Sequence, residues 1–395
     1  MAAMDIKPTA PIEPENPIKP ATETTPAPVA SVEPGRNHLP RAKFNLKQWI
    51  IAHKIWAGVI AAVVVLLLAG GAVLAYMKLH HKPKPVVVAP ASMAKPAPAP
   101  APILSPLTGL PITAAVAAQP VFGVVIENSP EARPQSGLSQ AGVVYETLAE
   151  GGITRFLAIF LDQQPTVLGP VRSLRPYFID WAQEYSNPAV AHAGGSTAAL
   201  GEVAALGFKS MNGLIYGANF YRTSDRSAPH NLYTSSNLLL GLMNRLGYTT
   251  HASFTPWTYK KDAPEATPSH PTINLGFSYD LFAAKYSFDA ACDCYDRFLA
   301  GTAHIDRNTG KQIQVKNVVA IIMQTSYDSE GHALDQTISS GKAYVFTDGG
   351  ATLGTWRKDA RTSRIQFLDA AGKDIPLNAG NTWIEVIPQT GSVSY

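Results

Sequence analysis

The chain has 395 residues, 32 of them Lys or Arg against 29 Asp or Glu, for a formal charge of +3, and two cysteines. Beyond the apolar stretch described below, the basic residues are dispersed rather than gathered in a stripe with interleaved aromatics, which argues against nucleic-acid binding. A lone Cys-x-Cys, Cys292 and Cys294, cannot make the four-ligand zinc sites that paired Cys-x-x-Cys motifs make.

Residues 1–35 are rich in Pro, Thr, Ala and Glu and poor in large apolar residues, so burial cannot offset chain entropy and the arm through residue 54 is expected to be disordered. Ile55 to Met77 is an uncharged apolar run. As a helix it would measure about 35 Å against roughly 30 Å of bilayer hydrocarbon, enough for one membrane span. More than fifty residues precede it, which fits a signal anchor better than a cleaved signal peptide. Arg36, Arg41, Lys43, Lys47 and Lys54 before the span, against Lys78, Lys82, Lys84 and Lys95 after it, favour an N-terminus in the bacterial cytoplasm and the bulk of the chain outside.

Within the stalk expected over 78–106, residues 82–106 alternate Pro and Ala. Such a segment favours polyproline II and a semi-rigid stalk on the order of 70 Å long. About 290 residues remain, which suggests two compact units by size alone. The expected fold class is α+β: a mixed α/β unit over 107–252, a linker over 253–271, and a mainly β unit over 272–395.

In the first unit, Val121 to Glu127 reads as a buried strand and is followed by a Pro-rich loop. Val143 to Glu150 and Ile153 to Leu161 read as a hairpin closed by Gly151-Gly152. Pairing Glu150 with Ile153 sets Leu148 opposite Arg155 and Glu146 opposite Leu157, with Glu146, Glu150 and Arg155 on one face. Tyr177 to Tyr185 after Pro176 predicts a helix, Ala189 to His192 a strand, and Thr197 to Ala205 a second helix. In the second unit, Asp306–Gly310, Asp348–Gly350 and Asp369–Gly372 mark turns between strands, and Asp280 to Tyr286 carries the one helical pattern. Cys292 and Cys294 read as strand residues on one face, with a strained disulfide or an adventitious metal site as the lesser alternatives, because a bridge across a single residue is geometrically difficult.

Between Glu127 and Tyr233 the cations are Arg133, Arg155, Arg172, Arg175, Arg222 and Arg226, with Lys209 the single lysine. Arginine is preferred where a planar fork must hold a carboxylate or phosphate, or where charge must survive partial burial. These arginines therefore either pair internally with Glu127, Glu146, Glu150, Asp180 and Asp225 or line a cleft for an anion such as a wall glycopolymer or a peptide carboxylate. His192-Ala-Gly-Gly-Ser196 leads from a strand into a helix, offering backbone N–H groups to an anion or simply a Ser196 cap. His230 lies in a loop dense in polar side chains, suited to acid–base work or to a structural hydrogen bond. A wall-glycan hydrolase or transferase would draw on Glu127, Glu146 or Glu150 with His230; a passive envelope scaffold would need none of them. His192, His230 and Asp225 lack metal-ligand spacing, and no phosphate-loop or nucleophile-elbow motif is present, so neither metal nor cofactor is expected.

Several segments together carry a resemblance: PLTGLP at 106–111, Glu127-Asn128, ARPQSGL at 132–138, Tyr145-Glu146, EGGITRF at 150–156, GPVRSLR at 169–175, HAGGS at 192–196 and APHNLY at 228–233. With GKAYVF at 341–346, GTW at 354–356 and NTWIE at 381–385, nearly everything after the stalk resembles the YerB lipoprotein family, a bacterial family of unknown function. The resemblance implies a two-part architecture in the bacterial envelope and supplies no catalytic residues. This chain has no cysteine near its N-terminus to carry a lipid, so the apolar helix is expected to serve as the anchor.

Overall fold

A helix from Lys54 to His80 (α1) carries the apolar run at its centre, and in the computed structural model it is long and apolar enough to cross a membrane. The described residues are 51, 54–80, 101–248 and 251–395. The expected disordered arm, apart from residues 51 and 54, and most of the stalk lie outside them. Of the stalk, residues 78–80 finish α1, and Ile103–Leu104 already pairs with Pro111–Ile112.

The described residues from 101 onward form one compact unit. Its principal strands are β1 (Phe122–Glu127), β2 (Val143–Leu148), β3 (Thr154–Phe160), β4 (Ala189–His192), β5 (Ser210–Asn212), β6 (Thr272–Gly276), β7 (Ala284–Asp289), β8 (Cys294–Leu299), β9 (Asn317–Met323), β10 (Ser340–Thr347), β11 (Gly350–Arg357), β12 (Gln366–Leu368), β13 (Thr382–Pro388) and β14 (Ser392–Ser394). Its main helices are α2 (Pro176–Ala182), α3 (Thr197–Leu206) and α4 (Ser236–Leu246). A ten-stranded sheet runs β12-β11-β10-β9-β13-β2-β3-β1-β4-β5. Residues expected as two units thus share one sheet, joined where β13 lies parallel to β2. The expected linker is docked on this body, with Trp257 donating to Ile365 O and Tyr259 to Leu107 O.

β9, β13, β2, β1, β4 and β5 all point the same way, so Met323, Pro388, Leu148, Glu127, His192 and Asn212 lie at one end of the sheet. α2 covers one face, where Trp181 stacks on Tyr145 at 4.9 Å. A second sheet of β14, β6, β7 and β8 reaches the other face through Arg297.

The β2–β3 hairpin forms where the glycine pair predicts it, but its register differs by one residue. Ala149 N–H donates to Ile153 O and Ile153 N–H to Glu150 O, leaving Glu150, Gly151 and Gly152 as a three-residue loop with both glycines at positive φ. Leu148 therefore pairs with Thr154, Thr147 with Arg155 and Glu146 with Phe156. A one-residue slip exchanges the faces of a strand. Glu146 and Arg155 consequently lie on opposite faces, not on one.

The helical pattern at Asp280 to Tyr286 yields a single tight turn, Asp280–Phe282, before β7. α4 was not among the expected elements; Ser235 Oγ caps it by accepting from Leu238 N–H. Cys292 and Cys294 are joined by a disulfide with Cα atoms 5.2 Å apart. The chain is not extended there: Asp293, with φ of 49°, turns it just before β8 begins.

Candidate functional site

Beyond Val124, β4 parts from β1 and residues 170–174 run between them. Glu127 N–H donates to Pro170 O, Arg172 N–H to Val125 O, Ala193 N–H to Arg172 O and Leu174 N–H to Gly194 O. This inserted segment delivers Arg172 and Arg175 to the carboxyl end of the parallel strands, a common place for ligand sites in open sheets. Glu127 closes β1 directly opposite Arg155 of β3, so both side chains project on the α2 side.

Two ion groups result. Glu127 Oε1 lies 3.2 Å from Arg172 Nε and 3.0 Å from His230 Nδ1, and it accepts from Ser129 Oγ at 2.6 Å. Glu150 bridges Arg155 and Arg175, one carboxylate oxygen to each at 2.5 Å. Burial alone would raise the Glu150 pKa, but the two guanidiniums outweigh it and hold the carboxyl below its ordinary value. Burial also lowers the Arg175 pKa, aided by the neighbouring Arg155 charge. Across both groups two carboxylates face three guanidiniums.

Arg155 and Arg175 are buried and spend further donors on the carbonyls of Ser173 and Leu174. Arg172 differs, with a side chain 27% exposed and no hydrogen bond from its terminal nitrogens to any described residue. Glu127 Oε2 is likewise buried without a hydrogen-bond partner. His230 Nδ1 is committed to Glu127, and its Nε2 bonds to no described residue.

The other expected residues have partners within the chain. Arg133 binds the carbonyl and side chain of Asn128 and the carbonyl of Leu281. Arg226 holds the carbonyls of Ala132 and Pro134, and Arg222 donates to Asn231. His192 is sealed: because Gly194 O can only accept, Nδ1 carries the proton and Nε2 accepts from Ser210 Oγ, each at 2.7 Å. Burial lowers its pKa to about 4. Ser196 caps α3 through Ala199 N–H. The expected anion cradle at 192–196 is filled by the chain itself, since Ala193, Gly194 and Ser196 N–H donate to Arg172 O, Asn212 Oδ1 and Leu174 O.

Glu146 lies on the far face beneath the second sheet. There Arg297 of β8 pairs with both Glu146 and Glu385, within a fully buried network that includes Tyr286 and His304. Sealed from water, Glu146 cannot share a cleft with Glu127 and Glu150. Ser129 is a contributor the sequence reading missed; its one signal was its place in the polar loop directly after Glu127. Among the described residues no three His, Cys, Asp or Glu side chains gather as metal ligands would.

Residues 107–249 match the family model described as the N-terminal domain of a protein of unknown function, DUF3048, and residues 273–384 match its C-terminal domain. The chain is 34% identical over 298 residues to "Putative lipoprotein YerB" of Bacillus subtilis (strain 168), a stretch covering 73% of this chain and 88% of that protein. The crystal structure of the Bacillus subtilis YerB protein superposes with a TM-score of 0.68 and 31% identity, over 74% of this chain and all of the other. The chain belongs to the DUF3048 family of YerB-like proteins, whose function is unknown.

Proposed function

We propose that this is a single-pass protein of the bacterial envelope, with its N-terminus inside, that uses the carboxyl end of the large sheet to bind an anionic envelope component such as a wall glycopolymer or a peptide carboxylate. Arg172 carries this reading: its guanidinium reaches solvent from a cluster in which cations outnumber carboxylates. Arg155, Arg175 and Glu150 act as its rigid support, and the strands of the C-terminal half buttress the same sheet. The Cys292–Cys294 bridge supports an outward orientation, because disulfides persist in oxidising compartments.

Purified wall polymer should be retained by the immobilised full-length protein and lost with Arg172→Lys, while the melting temperature stays nearly constant, because a lysine cannot reproduce the fork geometry. Equal unfolding of the variant would return Arg172 to a structural role.

One pair keeps an enzymatic reading in view: Glu127 orients His230 at 3.0 Å and leaves its second ring nitrogen free for acid–base work on a wall glycan. Release of soluble fragments from purified wall material, abolished by His230→Gln, would favour that reading over simple binding.

A further inference from the structure

An uncharged cavity opens at the same end of the sheet, beyond the β2–β3 turn. It measures about 570 Å³ and is bounded by Gly151 and Gly152, by residues 276–279, by Gly331 and by Thr390–Ser392 after β13. Among the described residues no charged side chain lines it. Two tyrosines do, and both are strongly exposed, Tyr279 at 64% and Tyr327 at 57%. Neither hydroxyl bonds to any described residue, and neither ring stacks on another described ring.

The floor is backbone held in tight approach. A Cβ on Gly152 would lie 2.5 Å from the Tyr279 ring, one on Gly276 2.6 Å from Ser392 Oγ, and one on Gly391 2.5 Å from Gly276 O. The glycines thus set the seat of Tyr279 and keep the floor open. Tyrosine rings combine an apolar face with a polar tip and favour surfaces where both are used. A phosphate or an ammonium group would find no counter-charge among the described lining residues, and a lipid tail would find, besides the tyrosine rings, only Leu148 and Phe277, both buried, among glycine, serine and threonine.

We propose that this cavity binds a neutral saccharide ring, a hexopyranose unit of an envelope glycan. The apolar face of the sugar stacks on Tyr279 or Tyr327, and its hydroxyls meet the tyrosine hydroxyls, Thr390, Ser392 and the glycine backbone. The proposal rests on the envelope-ligand reading for the source of the sugar. It divides the work between the sites: the tyrosine cavity takes the neutral ring and Arg172 takes the anionic substituent.

The test is calorimetric titration of the full chain, in micelles of a detergent without sugar headgroups, with chitotetraose as a neutral oligosaccharide and N-acetyl-trialanine amide as a neutral peptide. Saturable chitotetraose binding is expected. Tyr279→Ala and Tyr327→Ala should each weaken it by about fivefold to tenfold, while Tyr279→Phe keeps most of it, since ring stacking is worth about 1 kcal/mol. Both alanine variants should keep the parent melting temperature, their rings being exposed. Arg172→Gln should leave chitotetraose affinity unchanged.

Chitotetraose binding that is absent, or that is undiminished in the double tyrosine variant, overturns the proposal. Binding of the peptide in place of the sugar gives the cavity to another ligand class and overturns it as well. If the tyrosine variants are silent while Arg172→Gln still abolishes polymer capture, the saccharide site falls and the anion site stands. The reverse pattern keeps the cavity and removes the anion site.

Discussion

Glu146 and Glu385 face each other across the parallel strands β2 and β13, both fully buried, with the guanidinium of Arg297 paired to each. One cation serves two carboxylates, and burial, only partly offset by Arg297 and compounded by the Glu146 charge, pushes the Glu385 pKa up to about 8. Arg297→Met should therefore be severely destabilising, by about 3–5 kcal/mol, because it strands buried charge. Adding Glu146→Gln and Glu385→Gln to that variant should recover part of the loss. Urea unfolding midpoints of the three proteins check this; a mild Arg297→Met effect would show that the network is open to water.

His192 gives a pH dependence whose sign follows from its burial. Its folded pKa of about 4 lies below the ordinary value of 6.5, so between those values the unfolded chain binds a proton that the folded chain refuses. Its contribution to stability is whole above pH 6.5 and declines as pH falls toward 4, by up to about 3 kcal/mol. His192→Gln should unfold at lower urea at pH 7 yet lose less between pH 6.5 and pH 4.5 than the parent. Parallel losses in the two proteins would place the acid sensitivity elsewhere.

The Cys292–Cys294 bridge yields a test of topology. In intact cells an impermeant maleimide should label neither cysteine, and after mild reduction it should label Cys292, the exposed member of the pair. Labelling only after the membrane is breached would put the folded body inside. Labelling without a reductant would mean that the thiols are free.

The glycine pair announced the hairpin, but residues 143–148 and 154–160 are buried on both faces, so no alternation recorded its register. The choice between a two- and a three-residue loop then decided which face Glu146 took. The scarcity of lysine rightly marked arginines held in fixed geometry, yet most hold nearby carbonyls or Glu150, choices that chain spacing does not encode. Arg297 and Glu385 passed unnoticed because they meet Glu146 only through long-range sheet pairing. Arg364 went unseen for the same reason: its guanidinium lies 3.5 Å from the centroid of Trp257 and also faces Tyr185 and Phe254. Trp257 and Phe254 belong to the stretch read as a linker. The cysteine bridge ranks as the lesser alternative only on the premise of an extended strand, and the turn at Asp293 removes that premise.

The most direct measurement is the dissociation constant of purified anionic wall polymer for the full-length protein, compared among the parent, Arg172→Gln and Arg222→Gln. Arg222 is exposed but committed to Asn231, outside the cluster. Loss of a charge-assisted contact worth about 1.5–3 kcal/mol should weaken binding by at least about tenfold in Arg172→Gln, and raised salt should narrow the difference. Arg222→Gln should match the parent. Equal affinities for all three proteins, or equal losses in both variants, would contradict a binding site centred on Arg172.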